Sequence, residues 1–180
     1  MARWRKKYGK ESDQMKRNYH VKFLNEKDTV LVEQICAECE DYFKIEQGRT
    51  ANSDDARAIL TDLPEGKTRF DKFVMAILDE EESPIGLIDV VTDFPKKGEW
   101  IIGLLMLVPK ARKAGMGRVL HQVIQDWAID GGASSLRIGI LEENEAAKGF
   151  WEHLGYQKQE EKMAQYGDKT HQVGVYTLQI

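Results

Sequence analysis

The run Trp100 to Ala128, WIIGLLMLVPKARKAGMGRVLHQVIQDWA, decides the reading of this 180-residue chain. Trp100 to Val108 is apolar without alternation, the pattern of a strand covered on both faces, and it is too short to span a membrane. Pro109 ends it. From Gly117 onward, Val119, Leu120, Val123, Ile124, Trp127 and Ala128 recur on one face of a helix, and Gly131 with Gly132 predicts a left-handed stop. Between strand and helix lies RKAGMG, Arg112 to Gly117. A helix start has unpaired N–H groups and a partial positive charge, so an anion placed there is stabilised twice over. Gly115 and Gly117 allow the backbone to turn and approach such an anion closely. Lys110, Arg112, Lys113 and Arg118 add positive charge around it.

Two common phosphate motifs are excluded. No Gly-Lys-Ser/Thr ending is present, and GxGxxG fails because Leu120 holds its last position. Arg-x-x-Gly-x-Gly after a strand ending in Val-Pro remains.

Composition and length are those of one globular domain able to bury its own core. No apolar run has the length of a membrane helix and no signal-peptide h-region follows the basic N-terminus, so a cytoplasmic setting without membrane contact is expected. The net charge of −4 is uneven: residues 1–19 carry seven Lys/Arg against Glu11 and Asp13. Residues 1–18 therefore read as a basic N-terminal extension and 19–180 as the domain. The acidic body argues against binding nucleic acid. Cys36 and Cys39 fall on an apolar helical stripe with Leu31, Ile35 and Phe43, and read as core thiols rather than a metal or redox pair. No histidine pair has metal-ligand spacing, so no metal is expected.

Along the chain, the periodicity predicts a strand over 19–24 and a helix from about Thr29, capped by Asp28, to Ile45. A second helix is capped by Asn52 or Ser53. Strands follow at Phe73 to Leu78 and Ile85 to Thr92, joined by short turns to the Trp100 strand. After the central helix come a strand at Leu136 to Leu141, a helix opened by Asn144 and closed by Gly155, and two strands around Gly167 to Lys169. This is an α/β (α+β) arrangement with a mixed central sheet of about seven strands and four helices.

That order, with the Arg112 to Gly117 motif, resembles the GNAT superfamily of N-acyltransferases. Asn144-Glu-Ala-Ala-Lys-Gly-Phe150-Trp151-Glu-His-Leu154-Gly155-Tyr156 is similar to a second motif of that family, at the correct separation. The resemblance implies the GNAT fold and acetyl-CoA as acyl-donor cosubstrate. It implies that the Trp100 and Leu136 strands splay and admit the pantetheine arm, held by backbone groups at Leu105, Leu107 and Val108 that also polarise the thioester. The pyrophosphate would lie on Arg112, Lys113, Ala114, Gly115, Met116, Gly117 and Arg118, with Asn144, Phe150 and Trp151 contacting the cofactor from the opposite wall. An amine acceptor would attack directly. Trp151 holds the position at which the family usually has an acidic Tyr, and an indole N–H donates a hydrogen bond but does not titrate.

Asp89, a carboxylate inside an apolar strand, is the candidate base; a structural ion pair or hydrogen bond is the competing explanation. Glu99, Glu142 and Glu143 read as solvated strand ends. Acceptor specificity, by resemblance, comes from the first two helices and the last hairpin, which singles out Tyr42, Phe43 and His171. The expected activity is N-acetylation of a small-molecule primary amine. A non-catalytic acyl-CoA-binding regulator and a protein or peptide N-terminal acetyltransferase are the alternatives, and a homodimer is one open arrangement. Gly117→Glu, which adds bulk and negative charge at the phosphate position, is expected to abolish CoA binding; isothermal calorimetry showing unchanged affinity would remove the pyrophosphate assignment.

Overall fold

The computed structural model describes residues 19–180; the basic segment 1–18 lies outside the described residues. The elements are β1 (His20–Phe23), α1 (Thr29–Glu38), α2 (Glu40–Gln47), α3 (Ser53–Thr61), β2 (Lys72–Leu78), β3 (Pro84–Val91) and β4 (Glu99–Leu107). They continue with α4 (Met116–Asp130), β5 (Ser135–Leu141), α5 (Glu145–His153), β6 (Gln157–Tyr166) and β7 (Lys169–Gln179). The seven strands form one sheet in the order β1-β2-β3-β4-β5-β7-β6. Among the described residues only β4 and β5 pair in parallel, after the crossover through α4. The mixed sheet of seven strands is the expected one.

Short turns enforce the meander. Asp79 accepts from the N–H groups of Glu81 and Ser83 between β2 and β3, and Asp93 accepts from Gly98 N–H between β3 and β4. Successive residues of a strand alternate faces and cross-strand partners share one. Phe73 on β2 and Trp100 on β4 both meet Trp127 of α4, with ring centroids 5.1 and 4.9 Å apart, which fixes one face of the sheet. α5 lies beside α4, its Trp151 ring 5.8 Å from His121. Val74 points the other way and lines a shallow recess with Leu60 and Leu63, which places α3 on the opposite face; α1 packs against α3.

Among the described residues there are five α-helices where four were expected. The first predicted helix breaks at Cys39 (φ −107°, ψ 33°) into α1 and α2. Tertiary contacts explain the break: α2 is drawn to the β6–β7 hairpin, where Lys169 Nζ donates to Ile45 O at 2.9 Å and His171 Nε2 lies 2.6 Å from Glu46 O. Asp28 is not the side-chain cap of α1. Asn25 instead caps a preceding 3-10 turn, reciprocally with Asp28. At the end of α4 only Gly132 is left-handed, with φ +84°. Gly131 is glycine for a different reason, since a Cβ there would sit 2.5 Å from the Trp100 ring.

His121 of α4 is buried in the core, its Nε2 3.1 Å from Tyr156 Oη. Burial depresses its pKa from 6.5 to about 4. Between those values the unfolded chain binds the proton and the native state does not, so stability falls as pH drops from 6.5 toward 4. The loss from this group is expected to be on the order of 2–3 kcal/mol. Urea unfolding at stepped pH should show a shallower slope over that window in His121→Gln.

Candidate functional site

β4 and β5 pair only at their first residues, Glu99↔Ser135, Trp100↔Leu136 and Ile101↔Arg137. Beyond Ile101 the two strands part while β4 stays paired to β3 through Leu107. Val108 N–H donates to Ile85 O at 3.0 Å, so by antiparallel alternation Leu107 and Leu105 turn their backbone groups toward the opening. The expectation for Leu105 and Leu107 thus meets backbone groups without a strand partner. Val108 is turned the other way: it is fully buried, its N–H is bonded to Ile85 and its carbonyl accepts from Ala111 N–H at 2.9 Å.

The opening runs on into the loop before α4. Gly115 is the N-cap at φ +80°, and Lys113 is also left-handed at φ 62°, an uncommon conformation for a residue with a side chain. The first helical bond of α4 is Val119 N–H to Gly115 O at 3.2 Å. The N–H groups of Met116, Gly117 and Arg118 precede it, and no side chain caps the helix. Lys113, Ala114, Gly115 and Arg118 are exposed. A Cβ on Gly117 would lie 3.1 Å from Phe150 Cζ, so the α5 aromatic packs closely over this turn. These uncapped amides and the bare backbone form a cradle that fits an anionic group.

Arg112 is placed otherwise than its expected phosphate role. Its Nε donates to Leu107 O at 2.7 Å, and its terminal nitrogens form a two-pronged pair with Asp41 of α2, one contact at 3.0 Å. Asn144 caps α5, its Oδ1 accepting from Ala147 N–H at 3.1 Å, which leaves the amide NH2 as its remaining polar group. Trp151 was expected not to titrate; its indole is buried in an aromatic cluster with His121, Tyr156 and Phe150, which packs α5 against α4. Tyr156 is no substitute, because it is buried against His121 and burial pushes its phenol well up.

On the face carrying α1 and α3, the floor of the opening is glycine. The pairings Asp89↔Leu104 and Val90↔Ile102 leave Gly103 as the extra residue of a β-bulge, and Gly103 is exposed. Arg137 pairs with Ile101 on this face; Gly139, two residues farther along β5, is exposed beside the gap. Asp89 pairs with Val74 and so shares the face. Its Oδ2 is 2.7 Å from Lys72 Nζ, and a Cβ on Gly103 would sit 2.9 Å from the same oxygen. Oδ1 is buried without a hydrogen-bond partner. Burial raises the Asp89 pKa, against the opposing pull of Lys72.

The acceptor-wall expectations divide. Tyr42 donates to Glu46 Oε1 at 2.7 Å, and His171 bridges Glu46 O to the Glu143 carboxylate, so Tyr42 and His171 meet through Glu46. Phe43 is corrected to a core residue, 2% exposed. Glu99 is likewise no solvated strand end: it is buried and paired with Arg137 at 3.2 Å. Glu142 is paired with Lys148 and Lys158. Both cysteines are free, buried thiols, and burial lifts Cys36 to about 12 and Cys39 to about 11.

Sequence reasoning missed Lys72, Glu46, Gly103 and Gly139. The two glycines had a signal, since an isolated Gly inside a strand marks a bulge or a close backbone approach. Gly103→Ala is expected to force the Asp89–Lys72 pair aside and cost about 1–3 kcal/mol, read by chemical denaturation.

The sequence profile of the acetyltransferase (GNAT) family matches residues 32–156. No curated protein matches at the sequence level. Among solved structures, an acetyltransferase from Thermus thermophilus is similar at 18% identity and TM-score 0.69, covering 91% of this chain and 97% of the other. Spermidine N-acetyltransferase from Vibrio cholerae, in complex with CoA and spermine, is similar at 12% identity and TM-score 0.66, covering 89% and 95%. The ribosomal-protein-S18-alanine N-acetyltransferase from Escherichia coli matches at 13% identity and TM-score 0.65, covering 91% and 94%. At such identities the likeness is one of fold. The family profile spans well over half of the sequence, and the chain belongs to the GNAT acetyltransferase family.

Proposed function

We propose that the protein is a cytoplasmic N-acetyltransferase that moves an acetyl group from acetyl-CoA to the primary amine of a small molecule, by direct attack with both substrates bound. The observation that carries this reading is the parting of β4 from β5 beyond Ile101, next to the uncapped start of α4. No helix among the described residues is long and apolar enough to cross a membrane.

Acetyl-CoA would supply a thioester whose thiol, with an ordinary pKa of ~8.5, departs without a strong acid. The amides from Lys113 through Gly117, with Ala114 and Met116 between, would hold the pyrophosphate, and Arg118 would add charge. Leu105 and Leu107 N–H groups would bind the pantetheine chain and polarise the carbonyl. The Asn144 amide and Phe150 would line the opposite wall. Asp89 would take the proton that the amine must lose, through the Oδ1 that lacks a partner. Tyr42 and His171, with Glu46 and Glu143, would form the acceptor wall. Those two carboxylates favour a cationic acceptor, and the Vibrio cholerae neighbour acts on spermidine, so polyamines head the test panel.

A second reading, acyl-CoA binding without turnover, is favoured by the burial of Trp151 where the family usually has an acidic Tyr. Release of free thiol from acetyl-CoA across polyamines, other amines and short peptides, with CoA binding followed by calorimetry, separates the two. Amine-dependent release establishes the enzyme, whereas binding without release for any amine supports the second reading. Asp89→Asn is expected to lower amine-dependent release by roughly 10²-fold while leaving CoA affinity unchanged. In the unaltered protein the rate should fall as pH drops and Asp89 takes up its proton. Because burial raises that group, the fall should lie above the ordinary carboxylate value of 3.8.

A further inference from the structure

Arg112 opens the loop whose backbone amides face the proposed pyrophosphate site, yet three of its donor nitrogens are already engaged. Nε holds Leu107 O, the last carbonyl of β4, at 2.7 Å, and the guanidinium end grips Asp41 in the first turn of α2. The Arg112 backbone N–H bonds Pro109 O at 3.2 Å, so main chain and side chain together fold the segment 107–112 back on the end of β4. The direction in which residues 113–117 leave that segment follows from this closure. A guanidinium supplies the needed geometry, because its planar fork meets a carboxylate on two nitrogens while Nε stays free for a carbonyl.

We infer that Arg112 and Asp41 form a clasp that positions the cofactor loop and ties it to the acceptor-side helix α2, and that Arg112 is a positioning residue instead of a pyrophosphate ligand. Asp41 lies one residue from Tyr42 and on the same helix as Glu46, so the clasp joins the strand end facing the proposed cofactor to the helix facing the proposed acceptor. The pairing depresses the Asp41 carboxyl and raises Arg112, as expected for partners that hold each other charged. Both side chains keep solvent contact, 33% for Arg112 and 55% for Asp41, so the pair contributes little to global stability. What it fixes is geometry.

The inference rests on the acetyl-CoA reading and has its own test. CoA affinity is measured calorimetrically for the unaltered protein, Asp41→Asn, Arg112→Lys and the double variant, with melting temperature in the absence of CoA as the control. The clasp predicts that Asp41→Asn and Arg112→Lys each weaken CoA binding by about fivefold, and that the double variant is no weaker than Arg112→Lys alone. Melting temperature should fall by no more than about 2–4 °C. A phosphate ligand gives a different pattern: Arg112→Lys keeps its charge and most of the affinity, and Asp41→Asn leaves affinity unchanged or tightens it by releasing the guanidinium. That pattern overturns the clasp while leaving the cofactor site in place. Absence of any CoA binding in the unaltered protein overturns the cofactor reading, and the clasp with it.

Discussion

Every backbone N–H and C=O in a sheet needs a partner, and β4 and β5 stop supplying each other's after Ile101 and Arg137. Nearly everything distinctive in the molecule is a response to that interruption. The crossover helix α4 starts where the gap ends, and its own first amides are uncapped. Leu107 O is captured by Arg112. The strands present exposed glycine, Gly103 and Gly139, at the edges of the gap. A pair of parallel strands that remained zipped would have no use for any of these features. The gap is where the proposed site lies, and the rest of the fold keeps it open.

Electrostatics divides the two faces of the gap. The start of α4 is positive through unpaired amides and a helix dipole, with exposed Lys113 and Arg118 reinforcing it. The opposite face carries carboxylates, each held differently. Glu46 is buried and takes a phenol hydrogen bond, Glu143 meets His171, and Asp89 is caught between a lysine and an apolar strand. Asp89 is the least comfortable of the three, because its second oxygen has no partner. That discomfort suits the proton-accepting role proposed for it, and Gly103 gives its carboxylate room on β4.

Most of the sheet was legible because its strands carry period-two or continuously apolar patterns and its turns carry Asp, Gly and Pro. α4 and α5 were legible from their 3.6-residue periodicity, as was the Asn144 cap. The break at Cys39 was not, since the apolar stripe of 31–43 continues through it and the cause lies in the distant β6–β7 hairpin. Arg112 was read from a linear motif that fixes which residue opens the loop but not where its long side chain points; Asp41 decides that. Trp151 was legible as an anomaly at its position. Its explanation, a buried stack with His121 and Tyr156, depends on partners 30 and 5 residues away and so on the packing of α4 against α5.

One further property follows from β6, Gln157–Tyr166, which closes the sheet at one edge with almost every residue exposed. A strand with no neighbour on one side among the described residues is a template for the next molecule, and ten residues is long for such an edge. β6 carries Lys158, Glu160, Glu161 and Lys162 in close succession, with Gln at three further positions. The register shift between Lys158 and Glu160 also interrupts a flat hydrogen-bonding rim. Charges of both signs and a kink make edge-to-edge stacking of copies unfavourable, so β6 carries its own protection against fibril growth at this border.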